Sequence, residues 1–163
     1  MSGKKKILVI DDEEDICDMA RLTLEKSGQY RVLSTVSPVE GCRLCEMEHP
    51  DLVVLDYVMP EMRGDQVIEY LRNTPGTERI PIILVSGLGE IVYYDDRQEW
   101  QWKPDNPMVQ RRGNIHEIVE KIKEPAEIAK TLDVEVFLFK PFSRSVFLQI
   151  IERVLNHQNN NLA

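Results

Sequence analysis

Five polar side chains stand at the ends of short apolar runs in this 163-residue sequence. They are Asp11 and Asp12 after "ILVI", Asp56 after "LVVL", Ser86 at the end of "IILVS" and Lys140 after "VFLF". Carboxylates brought together repel one another, since two unit charges about 4 Å apart cost about 4 kcal/mol at an effective dielectric near 20. Lys140 can balance one charge. We predict that Mg²⁺ balances the others, because this ion accepts one or two carboxylates and retains water ligands.

A carboxylate beside a divalent cation and a lysine is arranged to attack phosphorus. Both cations would stabilise negative charge on the transferring oxygens. Asp56 is the predicted nucleophile, and Ser86 would donate a hydrogen bond to an oxygen of the attached phosphoryl group.

The apolar runs alternate with helical patterns, which predicts a parallel β-sheet covered by helices on both faces. Five strands are predicted, at "KILVI", "YRVLSTV", "DLVVL", "IPIILVS" and "VEVFLF". In such a sheet the functional crevice lies beyond the carboxyl ends of the strands, where the winding reverses. The five polar residues should therefore meet at one rim.

Helical spacing predicts a first helix that ends near Gly28, two shorter helices at Pro38–Glu48 and 65–72, and a last helix capped by Ser143. We expect a single domain over residues 1–157 and a disordered tail over 158–163, where the sequence is rich in asparagine.

Four motifs carry a resemblance to a known family: "VIDDEED", "LVVLDYVMP", "ILVSG" and "FLFKPF", in that order. Together they resemble the response-regulator receiver domains of two-component signalling, across nearly the whole chain apart from one insertion. The resemblance implies an α/β, flavodoxin-like fold, which is a doubly wound five-stranded parallel sheet in the order 2-1-3-4-5. It also implies a signalling module and not an enzyme.

The resemblance implies a role for each polar residue at the rim. Asp56 would accept a phosphoryl group from a histidine kinase, a phosphotransfer protein or a small phosphodonor. Mg²⁺ would be held by Asp11, Asp12, Asp56 and the main-chain carbonyl of Val58. Ser86 and Lys140 would contact the phosphoryl group. Phosphorylation would then switch a protein-binding surface around the fourth helix, the fifth strand and the last helix.

Two apolar side chains refine this expectation. Phe137 stands where the resemblance places the aromatic residue that turns inward on activation, into space vacated by Ser86, but it has no hydroxyl group. Val58 lies two residues after Asp56 and offers no side-chain hydrogen bond to an attacking water. We therefore expect a fairly long-lived phosphoaspartate.

An insertion at about 88–120 separates Ser86 from Lys140, before the predicted fourth helix. It holds Tyr93, Tyr94, Trp100 and Trp102. Such aromatic residues are enriched at protein interfaces, so they are candidates for docking a partner; the alternative is that they bury the insertion against its own domain. "EWQWKP" could form one arm of a hairpin, with both tryptophans on one side.

Asp133 and Val134 precede the fifth strand, where the resemblance implies a pair of small residues. This departure leaves the register of that strand open. Further upstream, Pro125 removes a backbone donor from a helical pattern and predicts two helices or a kinked one.

The formal net charge of -8 argues against nonspecific binding to nucleic acid, which rests on clustered Lys and Arg. No apolar run approaches the roughly 18 residues that would span a bilayer, so we expect a cytoplasmic protein without membrane insertion. Since the last helix nearly ends the sequence, we expect no output domain, and signalling through a downstream protein target or self-association.

Cys42 and Cys45 form a CxxC pair near His49, which is conceivable as a zinc or redox site. No second ligand pair stands at suitable spacing, so core packing of the two thiols is the favoured interpretation.

Three alternative functions share parts of this pattern. A haloacid-dehalogenase type of enzyme also forms a phosphoaspartate, but it wants a carboxylate where Val58 stands. A degenerate receiver would bind a partner without being phosphorylated. A flavin-binding protein is discarded, because "DDEED" after the first strand would repel phosphate.

Overall fold

A computed structural model of the protein describes residues 3–87, 90–94, 100–103, 130 and 132–161. Its strands are β1 (Lys5–Ile10), β2 (Tyr30–Thr35), β3 (Leu52–Asp56), β4 (Ile82–Ser86), β5 (Glu90–Tyr94), β6 (Trp100–Lys103) and β7 (Val136–Phe139). The main sheet has the order β2-β1-β3-β4-β7, and every neighbouring pair is parallel. The doubly wound α/β architecture and the 2-1-3-4-5 order are confirmed, with β7 as the fifth strand.

The described helices are α1 (Glu14–Glu25), α2 (Pro38–Glu48), α3 (Gly64–Asn73) and α4 (Arg144–Asn161). Local signals in the sequence set their ends. The Ser37 hydroxyl accepts a hydrogen bond from the Glu40 amide, and the Ser143 hydroxyl accepts one from the Val146 amide at 3.1 Å. Gly28, with φ +73°, lies in the left-handed region just after α1. The predicted fourth helix, including the kink at Pro125, lies outside the described residues.

The last helix continues to Asn161, whereas a disordered tail was expected from residue 158. The expectation is wrong for residues 158–161. Asparagine is a weak helix former, but extending an established helix costs only a fraction of 1 kcal/mol per residue, roughly 0.7 at most. The division of the chain into domains otherwise stays a prediction.

The sheet is buried on both faces, as an all-parallel sheet requires. Leu8, Val53 and Leu55 pack with α2 and α3 on one face, whereas Ile7 and Val54 pack with α1 and α4 on the other. Fully burying each such side chain contributes roughly 1.5–3 kcal/mol. This double burial holds the strand ends rigidly and fixes the residues that follow them. No helix in these described ranges is long and apolar enough to cross a bilayer.

The buried thiols favour the packing interpretation of the CxxC pair. Cys42 and Cys45 are both free and buried on the sheet side of α2. Burial raises the pKa of Cys42 to about 11 and that of Cys45 to about 12. Thiols of this kind are protonated at neutral pH and are poor metal ligands or nucleophiles.

Arg72 determines how the chain enters β7. Its Nη2 donates to the Asp133 carbonyl at 2.8 Å, and its Nη1 donates to the Ile80 carbonyl at 2.8 Å. Asp133 has φ +56°, and Val134 is buried in the core. The guanidinium group thus ties α3 to the starts of two strands, which answers the question of register: Ile83 pairs with Val136.

Part of the insertion is described. The backbone of Trp100–Lys103 forms a strand antiparallel to Glu90–Tyr94, as the hairpin interpretation of "EWQWKP" predicted. Cα atoms of β5 come within 8 Å of Cα atoms of β7, the edge strand of the main sheet. The described part of the insertion therefore lies beside the edge strand that leads to Lys140.

Gly64, the first residue of α3, packs directly against the end of β3. Its amide donates to the Tyr57 carbonyl at 2.7 Å, and a Cβ at this position would lie 2.8 Å from the Tyr57 Cα and 3.0 Å from the Asp56 carbonyl oxygen. Backbone atoms cannot move aside without displacing Asp56.

We expect Gly64→Ala to lower the free energy of unfolding by about 1–3 kcal/mol, because it overpacks a closed backbone contact. Urea denaturation measures this. Gly3→Ala is the control, since a Cβ there meets nothing within 4 Å. Equal stabilities of the two variants would contradict the packing argument.

Candidate functional site

The strand register brings the predicted residues to one rim of the sheet. Ile10 pairs with Leu55, Asp56 pairs with Val85, and Ser86 pairs with Phe139. The residues that follow these pairs leave the sheet at the same end. Asp11, Asp12, Asp56, Ser86 and Lys140 are therefore brought together there.

Lys140 is the cation at the centre of this rim. Its Nζ lies 2.7 Å from Asp11 Oδ2, 3.4 Å from Asp56 Oδ1 and 3.6 Å from Glu13 Oε1. Only 15% of the lysine side chain is exposed. Burial lowers the pKa of Lys140, but the hydrogen bond to Asp11 and the charges of the two aspartates outweigh burial and raise the pKa above its usual value. The ammonium group therefore stays charged.

The two buried aspartates are not fully compensated by this one cation. The pKa of Asp56 is raised to about 7, chiefly by burial and also by the charges of Asp11 and Asp12, whereas the charge of Lys140 lowers it. Burial also raises the pKa of Asp11, against its hydrogen bonds from Lys140 and from the Glu13 amide. Without another cation, Asp56 holds a proton up to about neutral pH.

The three aspartates fit a hard divalent cation. One carboxylate oxygen of each lies within 4.8 Å of the others, and within the described ranges this is the one group of three or more candidate metal ligands. Asp11 and Asp56 are buried, whereas Asp12 is exposed to solvent. Oxygen ligands with an opening to water are the set that Mg²⁺ takes. Extra positive charge would also offset the repulsion that raises the pKa of Asp56.

A cavity of about 400 Å³ opens onto these groups. Its walls are formed by Asp12, Glu13, Asp56, Val58, Met59, Pro60, Gly87 and Lys140. The cavity is large enough to admit a phosphoryl group. Val58 lies on its wall, and its proposed role through the main-chain carbonyl stays a prediction.

Two site residues were missed by reasoning from the sequence. Glu13 contacts Lys140, and the Cys17 thiol lies 3.4 Å from the Asp11 carbonyl oxygen, to which it donates. The signal for Glu13 was its place directly after the aspartate pair, at the start of α1. No sequence signal singled out Cys17, since a cysteine on the apolar face of a helix usually indicates core packing.

Ser86 and Phe137 are both buried, with 0% and 1% exposed. Ser86 ends β4, and its carbonyl accepts from the Lys140 amide at 2.8 Å. The Phe137 ring already belongs to the core beside α2 and α3. Its part in switching stays a prediction. The side chains of Tyr93, Tyr94, Trp100 and Trp102 lie outside the described part of the chain, so their docking role is also untested.

The raised pKa of Asp56 predicts a pH dependence of stability in the metal-free protein. The folded state binds this proton more tightly than the unfolded state, so its contribution is present at low pH and is lost between about pH 4 and pH 7, by at most about 1.4 kcal/mol per pH unit. Asp56→Asn lacks the titration. With a chelator present, we expect its thermal unfolding midpoint to rise relative to wild type as pH increases from about 4 to 7. A pH-independent difference would contradict the burial argument.

Comparison with known proteins agrees with this geometry. The family model of the response regulator receiver domain matches residues 7–98. An uncharacterized 14.6 kDa protein of Leptolyngbya boryana is 31% identical over 137 residues, which is 83% of this chain and 92% of that protein. A transcriptional regulator of Synechocystis, described as the DNA-binding dual master regulator RpaA, is 36% identical over 86 residues, or 53% of this chain and 35% of that protein. The chain spans about a third of the length of the first such regulators.

Solved structures show the same fold. A CheY-like receiver domain protein of Methanospirillum hungatei superposes with a TM-score of 0.67 at 21% identity, over 98% of this chain and 99% of that one. The chemotaxis protein CheY4 of Vibrio cholerae gives 0.66 at 21% identity, over 93% and 99%. The matched motifs, the sheet order and the cluster of aspartates beside a lysine lead to one conclusion: the chain belongs to the response regulator receiver domain family of two-component signalling.

Proposed function

We propose that this chain is a phosphoacceptor, and that Asp56 receives a phosphoryl group from a histidine kinase or a phosphotransfer protein. The observation that carries the proposal is the placement of Lys140 Nζ between Asp11 and Asp56, at 2.7 and 3.4 Å, on the wall of an open cavity. A buried carboxylate next to a fixed cation and an opening is suited to attack on an incoming anion.

The proposed reaction is an in-line displacement at phosphorus. An Asp56 carboxylate oxygen forms the new bond to phosphorus, while the bond between phosphorus and the donor nitrogen breaks and its electron pair stays with the imidazole. Lys140 stabilises the negative charge on the transferring oxygens. Ser86 then donates to one oxygen of the attached group.

Asp11, Asp12, Asp56 and the carbonyl of Val58 are the residues that would hold Mg²⁺. When bound, this ion supplies positive charge that keeps Asp56 ionised and offsets the charge of the phosphoryl group. The chain's own groups do the rest: buried strands fix Asp56 rigidly, and Lys140 stays protonated beside it. Pre-positioned charges of this kind need no rearrangement at the moment of reaction.

The signal would leave through the surface beside β7 and α4. Phosphorylation must bias two existing conformations, and moving a population from 1:99 to 99:1 takes about 5.5 kcal/mol of differential stabilisation. New contacts from the phosphoryl group to Ser86 and Lys140 are the proposed source. Both residues adjoin the strand that carries Phe137. A protein target or self-association would read the change, and a kinase donor accords with the cytoplasmic location expected from the sequence.

A phosphatase of the haloacid-dehalogenase type is less well supported. Such an enzyme needs an acid-base residue two positions after the nucleophile, and the side chain there is that of Val58 on the cavity wall. The same apolar side chain supports the expectation of a long-lived phosphoaspartate. A degenerate receiver remains the second candidate, and the experiment below separates it from the proposal.

Mass spectrometry after treatment with acetyl phosphate and Mg²⁺ tests the proposal. We expect the mass of the wild type to increase by one phosphoryl group, and no increase for Asp56→Asn or when Mg²⁺ is chelated. Asp51→Asn is a matched control: it removes a carboxylate from a surface ion pair with Lys5, at 3.1 Å, away from the rim. It should be labelled like the wild type. An unlabelled wild type would favour the degenerate receiver.

A further inference from the structure

Lys140 has a third carboxylate partner, which belongs neither to the proposed metal ligands nor to the acceptor. Glu13 Oε1 lies 3.6 Å from the ammonium nitrogen. An ammonium group has three N–H donors, and each can be directed at one of the three carboxylates within 4 Å: Asp11, Asp56 and Glu13. A phosphoryl group that arrives at Asp56 must therefore displace one of these contacts to reach Lys140.

Glu13 is the contact that is most readily given up. Its side chain is 64% exposed, whereas those of Asp11 and Asp56 are 4% and 5% exposed. Water can replace the ammonium group around an exposed carboxylate, and exposed ion pairs are correspondingly weak. The two buried aspartates have no such replacement.

The local structure does not require a glutamate at this position. Glu13 is the N-cap of α1, where serine, threonine, aspartate or asparagine is preferred because a short side chain accepts a hydrogen bond from the first turn. The Glu13 side chain makes no such capping bond. Its carboxylate instead reaches Lys140 and the cavity wall. Residues that depart from a local preference in this way are expected at functional sites.

We propose that Glu13 is a positioning residue that competes with the incoming phosphoryl group for Lys140 and so slows the phosphorylation of Asp56 by small anionic donors. The inference rests on the proposed function. Two effects act in the same direction. The carboxylate forms an ion pair with the ammonium group, and it places a negative charge on the wall of the cavity that an anionic donor must enter.

Glu13→Gln removes the charge and keeps the length of the side chain. We expect the second-order rate constant for phosphorylation by acetyl phosphate, with Mg²⁺ at saturation, to rise roughly two- to fivefold, as for the loss of one exposed ion pair. Glu14→Gln is the matched control. Glu14 is the next residue and is exposed, but it has no described contact with Lys140. Its substitution by glutamine changes the net charge by the same amount as Glu13→Gln. Its rate constant should stay within about 1.5-fold of wild type, since screening weakens more distant charges.

Glu13→Asp separates contact from charge. It keeps the negative charge but withdraws the carboxylate from Lys140, so we expect a rate between those of wild type and Glu13→Gln. A structural role would instead lower the thermal unfolding midpoint. We expect that midpoint to change little in Glu13→Gln, because the glutamate side chain supplies no cap, and to rise in Glu13→Asp, because the shorter carboxylate can cap α1.

Equal rates for Glu13→Gln and Glu14→Gln, or a slower Glu13→Gln, would overturn the inference while leaving the proposed function supported by labelling of the wild type. A wild-type rate for Glu13→Asp would also overturn it, because charge alone would then account for the effect. If the wild type accepts no phosphoryl group, both the inference and the proposed function fail.

Discussion

Charge balance at the carboxyl end of the sheet is the constraint on which the other features of the site depend. Two buried aspartates, Asp11 and Asp56, share one buried ammonium group, that of Lys140. One cation cannot neutralise both, and burial makes the residual charge costly, so Asp56 retains a proton to about pH 7. The same imbalance would favour the binding of a divalent cation by the three aspartates, as proposed for Mg²⁺. It also leaves the Asp56 carboxylate, which lies on the cavity wall, without enough positive charge nearby to balance it.

The rest of the fold keeps this imbalance in place. The strands before the aspartates are buried on both faces, so the backbone that carries the carboxylates cannot shift without unpacking the sheet. Gly64 allows α3 to start directly against the end of β3, and Arg72 ties α3 to the entry of β7, the strand that directly precedes Lys140. These contacts keep Lys140 beside Asp11 and Asp56, although the strands that carry them are distant in the sequence.

Much of this could be predicted from the sequence, because its signals are local and repeated. Apolar runs that end in Asp11, Asp56, Ser86 and Lys140 mark both the strands and the rim, and Ser143 marks the start of the last helix. The contact of Glu13 with Lys140 could not be predicted, since the two residues are more than a hundred positions apart in the sequence and the contact depends on the side-chain conformation of a residue at a helix start. The helical end of α4 was missed because asparagine-rich ends carry weak local preference, whereas helix continuation depends on the preceding turns.

Proton release on Mg²⁺ binding tests the charge-balance account most directly. Titration calorimetry in two buffers of different ionisation enthalpy measures the protons released per ion bound. At about pH 6, below the raised pKa of Asp56, binding should release close to one proton, and this number should fall toward zero at about pH 8 and in Asp56→Asn. Binding of Mg²⁺ to the wild type at about pH 6 without proton release would contradict the account.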